Sequence, residues 1–328
     1  MDNIITLEHG NGGRLMHELI RHICRRFPNN ILREAADAAE FKTPGARLAF
    51  STDSYVIKPL FFPGGDIGKL SVYGTVNDIS MKGAEPLYIS LAFIIEEGLS
   101  VSIFDKIINS IAQAARKAGV LIVTGDIKVV EKGSADKLFI NTAGIGLISY
   151  PGRITAHAQI NDLIIINGSI AEHGMAIFNA REDFKFISSI RSDCTNLNFD
   201  VHKCLKTSKN IHVMRDLTRG GLATSLNEIA LTSNLGIEIN ESAIPVKPAV
   251  SHMCNILGFD PLYIANEGKF ICIASAKDAI KLKQALGRSA SIIGKMTGSH
   301  KKEVYLTTRI GSQRIIPMLE SDQLPRIC

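Results

Sequence analysis

The chain has no tryptophan, and its six cysteines (Cys24, Cys194, Cys204, Cys254, Cys272 and Cys328) include no two at CxxC spacing. Thiols spread this thinly make no disulfide framework and point to a reducing, cytoplasmic compartment. Long apolar runs are missing too. The longest, from Leu87 to Ile95, is broken by Ser90 and followed by Glu96-Glu97, about half of what a membrane span needs. Asp2 and the His9-Gly10 pair come too early for a signal peptide. Charge of one sign is scarce: 37 Lys and Arg against 32 Asp and Glu leave +5, scattered without a long run. That excludes a dedicated nucleic-acid binder and suits a small anionic ligand. The hydrophobic share of 45% and the charged share of 21% exclude disordered and fibrous classes.

What is present is length. A chain of 328 residues exceeds one comfortable core and suits two domains. Tyr150-Pro151-Gly152 marks the expected boundary, giving domains 1–152 and 153–316 and a weakly structured tail, 317–328. Apolar spacing predicts a helix from Leu15 to Phe27, strands at 48–57 and 87–95, and a helix from Ile67 to about Met81. A second amphipathic helix follows Ser102 and Asp105, read as a capping box, and Gly119 closes it. Val120–Val123 reads as a buried strand leading to Gly125-Asp126. Strands are expected at 138–148, 163–166, 270–274 and 304–307, with helices after Gly221 and from Lys277 to Leu286. Strands and helices mix without regular alternation, so the fold class is α+β.

Several apparent motifs fail. Gly64–Leu70 reads GGDIGKL, but Pro63 and Leu70 replace the Gly and Ser/Thr of a phosphate-binding P-loop. His17 and His22 are one residue too far apart for a zincin helix.

The strongest chemical signal is a set of aspartates beside small residues at element ends: Asp53, Asp66, Asp78, Asp126 and Asp216. Hard carboxylate oxygens from several elements suit magnesium with phosphate, although each alone also reads as a cap or turn residue. Gly10-Asn11-Gly12-Gly13 and Arg219-Gly220-Gly221, each ahead of a helix, offer backbone N–H groups to an anion. Lys128 can meet a phosphate or be an ordinary surface lysine. Glu267, in Asn266-Glu267-Gly268-Lys269, is a base at a strand edge or a solvated loop carboxylate. Cys328 lies on a tail able to enter a site and leave it, or is incidental.

These residues fall in stretches resembling the HypE family of carbamoyl dehydratases, in the PurM-like superfamily that includes aminoimidazole ribonucleotide synthetase. The matching stretches include HGNGGR at 9–14, STDSYVIKPLFFPGGDIGKL at 51–70, GTVNDISMKGAEPLYIS at 74–90, VTGDIKVVEKG at 123–133, AEHGMAI at 171–177, RDLTRGGLATSLNEIA at 215–230, NEGK at 266–269 and the terminal PRIC. The resemblance implies an N-terminal domain whose strands form an intersubunit β-barrel in a homodimer, a C-terminal α+β domain, and ATP in the cleft between them. It implies that a carbamoyltransferase, HypF, loads Cys328. ATP then phosphorylates the carboxamide oxygen, and dehydration leaves a thiocyanate for the HypC–HypD iron scaffold. It also implies that Mg2+ binds Asp53, Asp66, Asp78 and Asp216, and that His9, Gly10, Gly12, Gly13, Asn77, Asp126, Arg219 and Gly220 hold nucleotide. Glu267, as base, and Lys128 would then act on the modified Cys328. The alternatives are a selenophosphate-type synthetase, which wants a reactive cysteine near the N-terminal glycines, and a scaffold without ATP turnover.

Overall fold

A computed structural model describes residues 13–15, 17, 18, 21, 38–152, 154–181, 189–319 and 324. His9, Gly10, Gly12, Cys328 and most of the expected first helix lie outside them. Of that helix, residues 15, 17, 18 and 21 are described and helical, and residue 14 before it is helical too.

Residues 39–147 build a five-stranded sheet in the order β1-β2-β7-β5-β6. Its strands are β1 (Ala39–Thr43), β2 (Ala46–Tyr55), β5 (Glu85–Glu96), β6 (Leu121–Val130) and β7 (Leu138–Leu147). A short pair, β3 (Phe61–Phe62) and β4 (Gly65–Asp66), leads into helix α1 (Ile67–Met81). This helix is buried almost all round, because the sheet covers one side and the second half of the chain meets the other. Helix α2 (Val101–Ala118) is amphipathic, buries Ile107, Ile111 and Ala115, and ends at Gly119 in the left-handed conformation, φ 76°. The expected capping box does not form. Ser100 is the N-cap, Ser102 lies inside the helix, and the two hydroxyls bond each other at 2.7 Å.

The other face of this sheet is open. Phe50 pairs with Ile145, Ile145 with Tyr88, and Tyr88 with Leu121, so a row of exposed apolar side chains crosses four strands. Strand β6 is the sheet edge, and the expectation that it is buried is wrong. Leu121 is 63% and Val129 67% exposed, since among the described residues β6 has a strand on one side only and few contacts from other elements. The strand also runs on through Asp126 to Val130, so Asp126 sits mid-strand and not at an element end.

Residues 163–315 build a seven-stranded sheet, β14-β13-β10-β12-β8-β11-β9. The strands are β8 (Leu163–Ile166), β9 (Ile211–Asp216), β10 (Gly236–Asn240), β11 (Phe270–Ala274), β12 (Ser291–Thr297), β13 (Val304–Thr307) and β14 (Gln313–Ile315). Its helices are α3 (Glu172–Ala180), α4 (Asn198–Thr207), α5 (Gly221–Ser233), α6 (Pro248–Leu257) and α7 (Ala276–Leu286). β8 and β11 read as unbroken apolar runs because they are inner strands packed on both faces. Ile271 and Ile273 meet Leu222 and Leu226 of α5, while Cys272 turns to Cys204 of α4 and Leu282 of α7. The tail is less loose than expected at its described residues, for Leu319 and Leu324 are both buried.

Candidate active site

The end of β2, the last turns of α1 and the end of β9 converge where the two halves meet. β2 places Asp53 on the face turned to α1, between the buried Ser51 and Tyr55. Ser51 Oγ donates to Asp78 Oδ2 at 2.8 Å. Asp216, the last residue of β9, is 5% exposed and within hydrogen-bond reach of Asp78. Burial pushes its carboxyl up to about 6, against the pull of Arg215 and with the negative Asp53 adding to the rise. Burial likewise raises Asp53, whose Oδ1 lies 3.5 Å from Arg219 Nη2; that guanidinium opposes the rise. Arg219 precedes Gly220, which holds φ 74° at the start of α5; a Cβ there would stand 2.1 Å from Thr224 Oγ1. The helix therefore presents Gly220, an open N-terminus and a guanidinium beside the aspartates.

Glu267 faces the same cluster. It is 4% exposed, so it is no solvated loop carboxylate. Burial first, then the negative Asp216, Asp193 and Asp53, hold its carboxyl well above the usual range, with Arg219 opposing. Its turn is fixed from three sides. Asp193 accepts from the Glu267 and Gly268 N–H groups at 3.1 and 3.2 Å and takes Lys269 Nζ at 3.0 Å. Asn266 Oδ1 accepts from the Ala171 N–H at 2.8 Å, and its Nδ2 donates to the Leu217 and Ile264 carbonyls. Lys269 thus pairs with Asp193 and not with Glu267, leaving the Glu267 carboxyl for other work.

Other expected residues are placed elsewhere. Asp66 caps α1: its Oδ1 accepts from the Lys69 N–H at 3.0 Å and its Oδ2 from Ser110 Oγ at 2.7 Å. Each oxygen accepts only one of these bonds and keeps a further lone pair, so the cap and a metal contact are compatible. Asn77 bridges the two halves, donating to the Thr195 carbonyl at 3.1 Å and accepting from the Leu197 N–H at 2.7 Å. Gly13 accepts from the His17 N–H at 3.2 Å, beginning the helical turn that brings His17 Nε2 to 3.0 Å from Glu228 of α5.

Asp126 and Lys128 pair with each other at 3.1 Å on the exposed edge. Register puts Asp126 beside Ala92, Asn141 and Ser54, on the sheet face opposite Asp53, so one chain does not bring this pair to the cluster.

Among the described residues no three Asp, Glu, His or Cys side chains are gathered tightly enough to cage a cation alone. Among the described residues the buried Asp216 Oδ2 finds no hydrogen-bond partner, its other oxygen being the one in reach of Thr218. Asp53, Asp78 and Asp216 together are hard oxygen donors, one of them orphaned. That suits a magnesium ion which takes its remaining ligands from phosphate and water.

The AIR synthase related protein models match residues 35–148 (N-terminal domain) and 159–307 (C-terminal domain). Carbamoyl dehydratase HypE of Cupriavidus necator is 46% identical over 99% of this chain and 95% of its own. The chain belongs to the HypE family. Among solved structures, the HypE–HypF complex is similar at TM-score 0.88 and 44% identity, covering 94% of this chain and 100% of the other. HypE in complex with ATP is similar at TM-score 0.84 and 45% identity, covering 99% and 100%.

Sequence reasoning missed Asp193, Asn266 and Lys269 as supports of the HypE-like turn. Asn266 and Lys269 flank Glu267 in NEGK, which is a visible signal. Asp193 comes from an irregular stretch more than 70 residues away and has none.

Asp216 carries a measurable cost in the free protein. A carboxyl raised from 3.8 to about 6 by burial is at ease when protonated. Its penalty is absent below about pH 4, grows as pH rises, and is complete above about pH 6. Asp216→Asn is therefore expected to melt higher than the parent at pH 7 without metal or nucleotide, by up to roughly 3 kcal/mol of stability. The gap should close toward pH 4. Thermal melts across that range check it; a variant that melts lower at pH 7 would make Asp216 a stabilising anion.

Proposed function

We propose that the protein is an ATP-dependent carbamoyl dehydratase of hydrogenase maturation, converting an S-carboxamide on Cys328 to a thiocyanate. The observation that carries this reading is a buried, high-pKa glutamate held on a rigid turn against an aspartate cluster, next to a helix N-terminus and an arginine. An amide oxygen is a poor leaving group, and phosphoryl transfer makes it a good one. The carboxamide oxygen attacks the γ-phosphorus and ADP departs. The phosphorylated carboxamide sheds one nitrogen proton to become a neutral O-phosphoryl imidate; Glu267 takes the second nitrogen proton, the C–O bond breaks with loss of phosphate, and S–C≡N remains. Arg219 and the start of α5 face the phosphates. Bound Mg2+, held by Asp53, Asp78 and Asp216, would neutralise triphosphate charge.

The cellular setting proposed is the cytoplasm. HypF is the partner that loads the thiol, and the HypC–HypD iron scaffold receives the cyano group. The division proposed is 1–152, 153–316 and a tail from 317 that carries Cys328. The assembly proposed is a homodimer joined through the open sheet face and β6. Lys128 and Asp126 would then serve the cleft of the second chain, since they lie on the wrong face for their own.

The test is the intact mass of chain carbamoylated by HypF, followed after ATP addition. Loss of one water with release of ADP is expected. ADP release without that loss would favour another synthetase of the superfamily, and neither event would leave a scaffold. Asp78→Asn, nearly isosteric but uncharged, should lower ADP release at limiting magnesium about a hundredfold or more while the fold survives. Near-normal release would make Asp78 a helix residue only.

A further inference from the structure

The thiol that must meet Glu267 is four residues beyond a leucine that the structure buries. Leu324 is 2% exposed and belongs to one core cluster with Ala171, Met175, Ile264 and Ala265. Gly174 makes room for it. A Cβ there would stand 2.5 Å from Ile264 Cγ2 and 3.3 Å from Leu324 Cδ1. The seat is continuous with the base's own turn. The Gly174 N–H donates to the Ala265 carbonyl at 3.1 Å, and Asn266, which bonds the Ala171 N–H, directly precedes Glu267.

We propose that Leu324 is a positioning residue: seated against Gly174 and Ile264, it tethers Cys328 to the same rigid stretch that holds Glu267. The claim rests on the dehydratase reading above. Four residues span at most about 14 Å, so a seated Leu324 confines the thiol to the neighbourhood of its base. With the seat empty, the next buried residue among those described is Leu319, which accepts from the Arg14 N–H at 2.9 Å. A tether of nine residues in place of four lowers the local concentration of the thiol about threefold, and more where the leucine also sets direction. The seat does not oppose loading, because a leucine on a short tail can leave it and return.

The experiment uses the full chain with HypF and ATP. Leu324→Ala should carbamoylate at the parent rate and keep its KM for ATP, while conversion to thiocyanate slows about threefold to tenfold. Leu324→Met, which refills the seat, should restore it. Inserting Gly-Ser-Gly-Ser after Leu324 leaves the seat intact and doubles the tether, and should slow conversion by about threefold. Equal conversion by parent and Leu324→Ala overturns the proposal, and so does an equal loss in carbamoylation and conversion. A parent chain that never loses water overturns the dehydratase reading instead.

Discussion

Cys328→Ala is expected to abolish thiocyanate formation while the melting temperature and ATP binding stay at the parent values. The reaction forms its product on one sulfur, and alanine offers no atom to carry the carbamoyl group. The other described thiols are no substitutes. Cys194, Cys204, Cys254 and Cys272 are buried and free. Burial pushes Cys194 and Cys254 up, Cys254 to about 11; a hydrogen bond that the Cys272 thiol makes to Cys204, with burial, does the same to Cys272. A buried, protonated thiol is neither nucleophile nor docking arm. The fold should not register the change, because one terminal side chain contributes little beside the buried Leu319 and Leu324. Intact mass after HypF and ATP reads the outcome, and a nitrile on any other cysteine would sink the assignment.

Glu267→Gln should separate the two halves of the reaction. The variant is expected to bind ATP and accept carbamoyl on Cys328, then to form thiocyanate slower by roughly 10² to 10⁴, the usual range for losing a general base. Glutamine preserves shape and the backbone bonds from Glu267 and Gly268 to Asp193, so geometry is not the variable. The environment gives the carboxyl its basicity: burial with three neighbouring carboxylates favours the protonated form, so the ionised group takes a proton readily. A persistent carbamoyl adduct on the tail peptide supports the role, and prompt conversion to the nitrile removes it.

Much of the fold was legible from local pattern. α1 starts and stops where the Asp66 cap and Gly83 place it, and β8 and β11 match their apolar runs to the residue, since inner strands leave no polar face to blur the signal. The site was legible by residue type but not by role. Asp53, Asp78 and Asp216 converge, and Asp66, which looks identical in sequence, also caps a helix, because ligand and cap draw on the same short carboxylate. The distance of Asp126 and Lys128 from their own chain's cluster was not legible for another reason. Which face of a sheet a residue occupies relative to a distant strand depends on strand order and register, and β6 pairs with β5 through a register shift at Ile89/Ser90 that no local pattern announces. The burial of Glu267 is likewise a product of Asp193 and Asn266 contacts across the fold.

The bare edge of the first sheet bears on solubility. Along β6 the charges of Asp126 and Lys128 interrupt residues that are otherwise apolar or small and more than half open to water at Leu121, Val123, Ile127 and Val129. Such an edge is a template for strands of other chains, and charges are what natural edges use to discourage that pairing. The charge of Lys128 is placed to discourage such pairing in the newly made chain. Removing it extends the uncharged stretch through Val130, so soluble yield is expected to fall, alongside any loss of activity. In a crude lysate the two losses look alike, and only activity per mole of folded, dispersed protein tells them apart.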